Sequence, residues 1–436
     1  MSHQPLRFEP DDLATDELEF VSSPPYSSSA SESERVIQAT PIASTSARTL
    51  TDDPQPSSCT HFFYKFNVLE INLGRKLWGL SMSAYGFNDI VNGTVQLLRE
   101  CTHVVQLTAT LQGKVNVTSV TRGMVEEVTS VVVVSDKVDI PGPRTPVGAY
   151  YLTDHLYTFS IPFPSYVKGG MSPLPPSYAV WTPGVSCDVS YVLKIDVFRK
   201  GMRRHEEKSI PLLYLPKSWP PRLPFPEGGL DSGTFDGGMI TTIPLSPKFR
   251  GNTVRNNAVE SPSFELSLPA NAFVSSGFHL PLKLVINCPE APALSRLLCQ
   301  HIEVKLVKQT RLWVKNNRLT GGRETVLSSA VAVTSDASRE GQVSCQYLLK
   351  AGESGKEQTW RVDGAIEISY IVRVSICPPC SSTGFLPSYS HNEVINIATE
   401  PWGGREREVR QVSASYPALG LSNSGGVSRL SQSIER

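Results

Sequence analysis

The chain has 436 residues, and its 41 Lys and Arg balance 41 Asp and Glu, so the formal net charge at pH 7 is zero. That length suggests two or three domains at roughly 150 residues each, and the balanced charge excludes a general electrostatic pull toward nucleic acid or acidic membranes. No apolar run reaches the ~18 residues that a membrane-spanning helix needs. The opening residues, with Glu9, Asp11, Asp12, Asp16 and Glu17, are acidic where a secretory leader is basic and then apolar, which leads us to expect a cytoplasmic protein.

Residues 1–60 are rich in Ser, Thr, Pro and acidic side chains, as in SSPPYSSSASESE, and read as a disordered tail because they bury too little apolar surface to offset chain entropy. Strand character begins at His61. Phe62, Tyr64, Phe66 and Val68 alternate with other residues. Ile90 to Leu98, then Val105, Leu107, Ala109 and Leu111, the β-branched run Val131 to Val134, and Leu156 to Phe163 follow. Tyr191, Leu193, Ile195 and Val197 put one face of a strand on a core, and a tip at Lys200-Gly201-Met202 turns the chain into Ile210 to Leu215. Pro211 and Pro216 mark that second arm as a sheet edge. These segments assign 61–220 to a first sandwich.

The stretch 221–260 is dense in Pro and Gly and reads as a linker. Strands resume across 261–400: Phe264, Leu266 and Leu268; Leu280, Leu282, Leu284 and Ile286; Ile302, Val304 and Leu306; Thr325 to Val333 as one strand; Ile366 to Ile376; and Val394 to Ala398. Ala291 to Cys299 is the one short helical candidate, and 401–436 reads as a flexible, Ser/Gly-rich tail. The predicted fold class is all-β, with two tandem immunoglobulin-like antiparallel β-sandwiches between disordered N- and C-terminal tails.

The order of several segments resembles the arrestin family, in particular its fungal arrestin-like or α-arrestin branch. The resemblance is carried by YGFNDIVNGTVQLL (Tyr85 to Leu98), VVQLTATLQGKV (Val104 to Val115), YTFSIPFPS (Tyr157 to Ser165), LPPSYAV (Leu174 to Val180) and VSYVLKIDVFRKG (Val189 to Gly201). More loosely, GFHLPLKLVI (Gly277 to Ile286) and VDGAIEISYIVRVSI (Val362 to Ile376) extend it into the second half. The resemblance implies a non-enzymatic adaptor with no cofactor that binds cytoplasmic parts of transmembrane cargo proteins. It also implies recruitment to the plasma membrane or endosomes by peripheral association, and a link to a HECT-type ubiquitin ligase whose WW domains read PPxY motifs as polyproline II segments. A retromer-like arrestin-fold coat subunit, needing no ligase, is the alternative.

Two tetrapeptides are candidate WW ligands. Pro175-Pro176-Ser177-Tyr178 matches PPxY, against a reading as a structural corner of the first sandwich. Leu386-Pro387-Ser388-Tyr389 is an LPxY variant in a loop between strands. Pro24-Pro25-Tyr26 lies in the tail but lacks the intervening residue. Cys377-Pro378-Pro379-Cys380 has redox or metal spacing without a second pair, so a strand end and turn is the plainer reading. Gly352-Glu353-Ser354-Gly355-Lys356-Glu357 only mimics a phosphate loop and reads as a hairpin tip. Lys305, Lys308, Arg311 and Lys315 form an expected positive stripe. Arg199, Lys200, Arg203, Arg204 and His205 form a basic cluster blunted by Glu206 and Glu207, and Ser31 and Ser33 beside acidic residues are candidate phosphate acceptors, against the default reading as unmodified linker. The eight cysteines are scattered and read as small buried hydrophobes. The expected site inventory has no catalytic, cofactor-binding or metal residue.

Overall fold

The computed structural model describes residues 60–142, 151–200, 205–221, 240–248, 262–314, 318–378, 386–403 and 415–423, apart from 100, 102, 270 and 271. In chain order the first strands are β1 (His61–Lys65), β2 (Leu69–Arg75), β3 (Ser83–Tyr85), β4 (Ile90–Leu97) and β5 (Val104–Thr121). Then come β6 (Met124–Asp139), β7 (Leu156–Pro162), β8 (Tyr178–Thr182), β9 (Val185–Arg199) and β10 (Glu206–Tyr214). One sheet runs β1-β2-β4-β7, and the other runs β3-β10-β9-β5-β6 with β8 added on β9. Alternation decides which faces meet. Leu69, Ile71, Val91, Val95, Tyr157 and Ile161 of the first sheet are buried, as are Leu111, Val115, Leu193, Ile195 and Val197 of the second. Phe163 anchors this core, stacked on Tyr214 at 4.7 Å and edge-on to Tyr191 at 5.7 Å between ring centroids.

β5 and β6 form a hairpin longer than the sequence pattern marks. Thr121 pairs with Met124, leaving Arg122 and Gly123 as a two-residue turn with φ of 53° and 81°. Two successive positive φ values give the primed turn whose twist matches the flanking strands.

The second half contains β11 (Ile240–Pro244), β12 (Pro247–Lys248), β13 (Ser263–Pro269), β14 (Phe273–Ser275), β15 (His279–Asn287) and β16 (Ile302–Val314). It continues with β17 (Arg318–Ser329), β18 (Val331–Arg339), β19 (Gln342–Lys350), β20 (Trp360–Val362), β21 (Ile366–Ile376) and β22 (Ser388–Ala398). One sheet is β11-β13-β15-β19-β18. Its partner is β12-β22-β21-β16-β17, with β14 on β22 and β20 on β21. Pairings throughout are antiparallel except two short parallel ones, β3 with β10 and β14 with β22. The expected helix is α1 (Pro292–Cys299), which starts on a proline and turns Ser295 and Leu298 inward. The chain is therefore all-β in two sandwiches, as expected.

Three expectations need correction. Thr325 to Val333 is two strands, because at Ala330, whose N–H bonds the Val304 carbonyl, the chain leaves the β16 sheet for the β19 sheet. The stretch read as a linker contributes β11 and β12, edge strands bounded by Pro244 and Pro247, where a missing N–H costs no ladder bond. The stretch read as a flexible tail includes a packed segment at 415–423. There the Ala418 N–H bonds the Leu215 carbonyl, Leu421 is buried with Met82 and Leu213, and Tyr416 meets Trp78 edge-on at 5.2 Å.

Candidate functional site: the cleft between the sandwiches

The corner LPPSY fixes one wall of the junction. The Tyr191 hydroxyl donates to the Pro175 carbonyl at 2.6 Å, the Ser177 N–H donates to the Tyr214 carbonyl at 2.7 Å, and the Tyr214 N–H returns to Ser177 Oγ at 2.9 Å. Held at both ends, the corner sends the Tyr178 ring out of the first sandwich onto Trp360 of the second, edge-on at 5.4 Å. A second fastening lies where the chain leaves β10. The Ser218 N–H donates to Thr399 Oγ1 at 2.9 Å and the Thr399 N–H to Ser218 Oγ at 3.0 Å, so the exit from the first sandwich is tied to the end of β22.

Beneath Tyr178 lies a charged network. Lys308 of β16 pairs with Glu357 at 2.8 Å, with side chains only 14% and 11% exposed. The Tyr370 hydroxyl donates to the same Glu357 carboxylate at 2.7 Å and accepts the Gln358 N–H at 3.1 Å. The Lys308 ammonium also stands 5.9 Å from the ring centres of both Tyr178 and Tyr370. Burial, reinforced by the Glu357 carboxylate, pushes the Tyr370 hydroxyl well above the ordinary tyrosine range. Burial also raises Tyr178, opposed by Lys308 and by a hydrogen bond to Thr310.

Beside Trp360 opens a cavity of about 710 Å³ lined by Trp219, Trp360, Trp402, Phe87, Phe273 and Gln358, with Lys217, Arg361 and Glu367 supplying charge. Two of its polar atoms are buried and lack a hydrogen-bond partner among the described residues: the Trp219 indole Nε1, a donor, and the Gln358 Oε1, an acceptor. An unpaired buried donor or acceptor costs about 1–3 kcal/mol, and because both atoms are closed to solvent that cost is borne inside the junction. The described lining contains no His or Cys. Its chemistry is recognition: apolar indole faces with the Arg361 and Glu367 charges beside them.

Neither WW candidate offers its aromatic ring. Pro175, Pro176 and Ser177 are buried, and Tyr178 is 5% exposed in the junction just described. Pro387 is buried, Ser388 bonds the Lys248 carbonyl, and Leu386 is half-buried. Tyr389 is 1% exposed against Phe264 at 4.1 Å, its hydroxyl on the Pro262 carbonyl. The loop expected around Tyr389 is instead the start of β22. A WW groove takes an extended, accessible segment, and both tyrosines serve as core anchors.

The expected positive stripe is neutralised by acidic partners. Lys308 is buried with Glu357, Lys305 pairs with Glu303, Arg311 lies 3.3 Å from Glu367, and Lys315 lies outside the described residues. In the basic cluster, Arg199 pairs with Glu206 at 2.8 Å and His205 approaches Asp196, while Arg203 and Arg204 lie outside the described residues, as do Pro24-Pro25-Tyr26, Ser31, Ser33 and Cys380. Asp196, His205 and Glu207 come within reach of one another, but Lys194 holds Glu207 at 2.5 Å and Thr108 donates to Asp196, which makes them a surface ion-pair cluster. The expected hairpin tip at 352–357 turns through Gly352 and Gly355 at positive φ, and its last residue, Glu357, enters the buried network. Sequence reading placed Lys308 in a positive stripe and Glu357 in a hairpin tip without pairing them, and it missed the three cleft tryptophans. The available signal was Trp219, a large aromatic stranded in the Pro-rich run SWPPRLP.

The sequence matches no known protein family and no curated protein. Among the described residues, no helix is long and apolar enough to cross a membrane.

Proposed function

We propose that this chain is a non-enzymatic, arrestin-like adaptor that binds cytoplasmic parts of membrane proteins and links them to ubiquitin-ligase and endocytic trafficking. The observation that carries the binding half is the cleft of about 710 Å³, lined by three tryptophans and two phenylalanines with Arg361 and Glu367 beside them. An extended peptide fits a cleft of that kind. Its proline or aliphatic side chains cover the indole faces. Such a segment is what the cytoplasmic tail of a membrane protein presents. Ligase recruitment is left to a motif other than these two, since Tyr178 and Tyr389 are buried.

The test is titration of the full-length protein with a panel of proline-containing peptides from cytoplasmic tails, followed by tryptophan fluorescence and calorimetry. A binding peptide is expected to quench or shift the emission. Trp402→Ala, which removes an indole that is 38% exposed, is expected to weaken binding by about 2 kcal/mol, roughly thirtyfold in Kd. No peptide binding in the panel, together with co-purification of a constant set of coat proteins, would replace the adaptor reading with a coat-subunit one.

A further inference from the structure

Cys299 and Cys345 lie away from the cleft, in the second sandwich. Cys299 ends α1 and is half-buried, whereas Cys345 is buried in β19, and both are free thiols. Their sulfurs are 2.8 Å apart across 46 residues of chain. Only the covalent S–S distance of about 2.05 Å is much closer. The Ser335 hydroxyl of β18 lies 3.9 Å from Cys299 Sγ and 3.8 Å from Cys345 Sγ, so three side chains from three elements converge on one point.

The asymmetry of the pair assigns roles. Cys299 is half-buried at the end of α1, whereas Cys345 is 1% exposed, and the hydrogen bond from Cys345 holds the Cys299 thiol below the ordinary thiol range, against a smaller opposing contribution from burial. The same bond and burial hold Cys345 well above the ordinary thiol range, as the neutral donor. A half-exposed thiolate with a second thiol in contact is the arrangement of an attacking cysteine and its resolving partner.

We propose that Cys299 and Cys345 are a reversible dithiol–disulfide site that is oxidised by hydroperoxides. The Cys299 thiolate attacks the terminal oxygen of a hydroperoxide, the O–O bond breaks, and an alcohol (water, for hydrogen peroxide) leaves after taking up a proton. Cys299 becomes a sulfenic acid, oxidised by two electrons. The Cys345 sulfur then attacks the Cys299 sulfur, the S–O bond breaks, and the departing hydroxide takes the Cys345 proton and leaves as water. The sum is two thiols and one hydroperoxide giving one disulfide, one alcohol or water, and one further water. A small dithiol reverses it by exchange. The bond staples α1 to β19, closing a loop that the reduced chain leaves open.

The test treats the reduced full-length protein with one equivalent of hydrogen peroxide, blocks remaining thiols with N-ethylmaleimide, and maps peptides without reduction. The expected result is a Cys299–Cys345 cross-link, two hydrogens lighter than the free pair, that dithiothreitol removes and that raises Tm by roughly 5 °C or more. Cys345→Ser is expected to abolish the cross-link while dimedone labels Cys299, and Cys299→Ser loses both signals. The second variant alters a half-exposed position, so the test stands even if the first does not fold. Peroxide is expected to consume Cys299 roughly tenfold or more faster than the exposed Cys377. Oxidation of Cys377 ahead of Cys299, persistence of both thiols, or a bridge that dithiothreitol does not reduce overturns the proposal.

Discussion

Single residues carry two charges placed at a cost. Asp188 in β9 has a buried Oδ1 with no partner among the described residues, and burial raises its carboxyl above the ordinary 3.8, against a weaker hydrogen bond from Ser190. The folded chain therefore holds that proton more tightly than the unfolded chain. Stability contributed by the protonated form is complete below the ordinary value and is lost as pH rises through the raised one. Asp188→Asn removes the titration. Urea melts are expected to show the variant about 1 kcal/mol more stable at pH 7, with the gap closing below pH 4. The Lys308–Glu357 pair behaves in the opposite sense, because each charge faces its counter-charge at 2.8 Å in a poorly exposed site. Lys308→Met alone is expected to cost about 3–5 kcal/mol by leaving the carboxylate buried and uncompensated. Adding Glu357→Gln should restore much of that, giving a coupling of 1 kcal/mol or more in a double-mutant cycle. Nothing in the string KEQTW distinguishes Glu357 from an exposed hairpin residue, since its partner is 49 positions away.

At the level of strands, the alternation of Tyr191, Leu193, Ile195 and Val197, or of Leu280, Leu282, Leu284 and Ile286, was readable because one face of each meets a core. What periodicity does not carry is which sheet a strand joins. Ala330 passes the chain between sheets without breaking the pattern, and β11 and β12 hide among prolines that only an edge accepts. The two short motifs show the same limit from another side. PPSY and LPSY read as ligands by their letters, yet each begins a strand whose tyrosine closes a core. Tyr389→Ala is expected to destabilise the protein by about 3–5 kcal/mol, and Tyr389→Phe by about 1 kcal/mol through loss of the bond to Pro262. Purified WW domains are expected to bind neither motif in the folded protein, and to bind synthetic peptides of either sequence; capture of the folded chain that Tyr389→Phe leaves intact but Tyr389→Ala abolishes would show that the motif opens.

Across the whole molecule, the cleft was the least legible feature, because Trp219, Gln358, Trp360 and Trp402 meet only after both sandwiches are built. Its walls are held by the Tyr178–Trp360 contact, the Ser218–Thr399 exchange and the segment at 415–423. That last segment touches both halves: Ala418 bonds Leu215, and Gly420 lies against the Gly355 main chain. A Cβ on Gly420 would stand 2.5 Å from the Gly355 carbonyl oxygen, and one on Gly86 would stand 2.2 Å from that of Ser415. Gly420→Val is expected to lower stability by about 1–3 kcal/mol, read as a lower Tm by calorimetry. Because bare backbone lies on bare backbone at both places, the latch recognises the absence of a side chain. One methyl group at either point acts as a wedge under the latch, lifting it from the body while the Tyr178–Trp360 contact and the Ser218–Thr399 exchange still hold the sandwiches together.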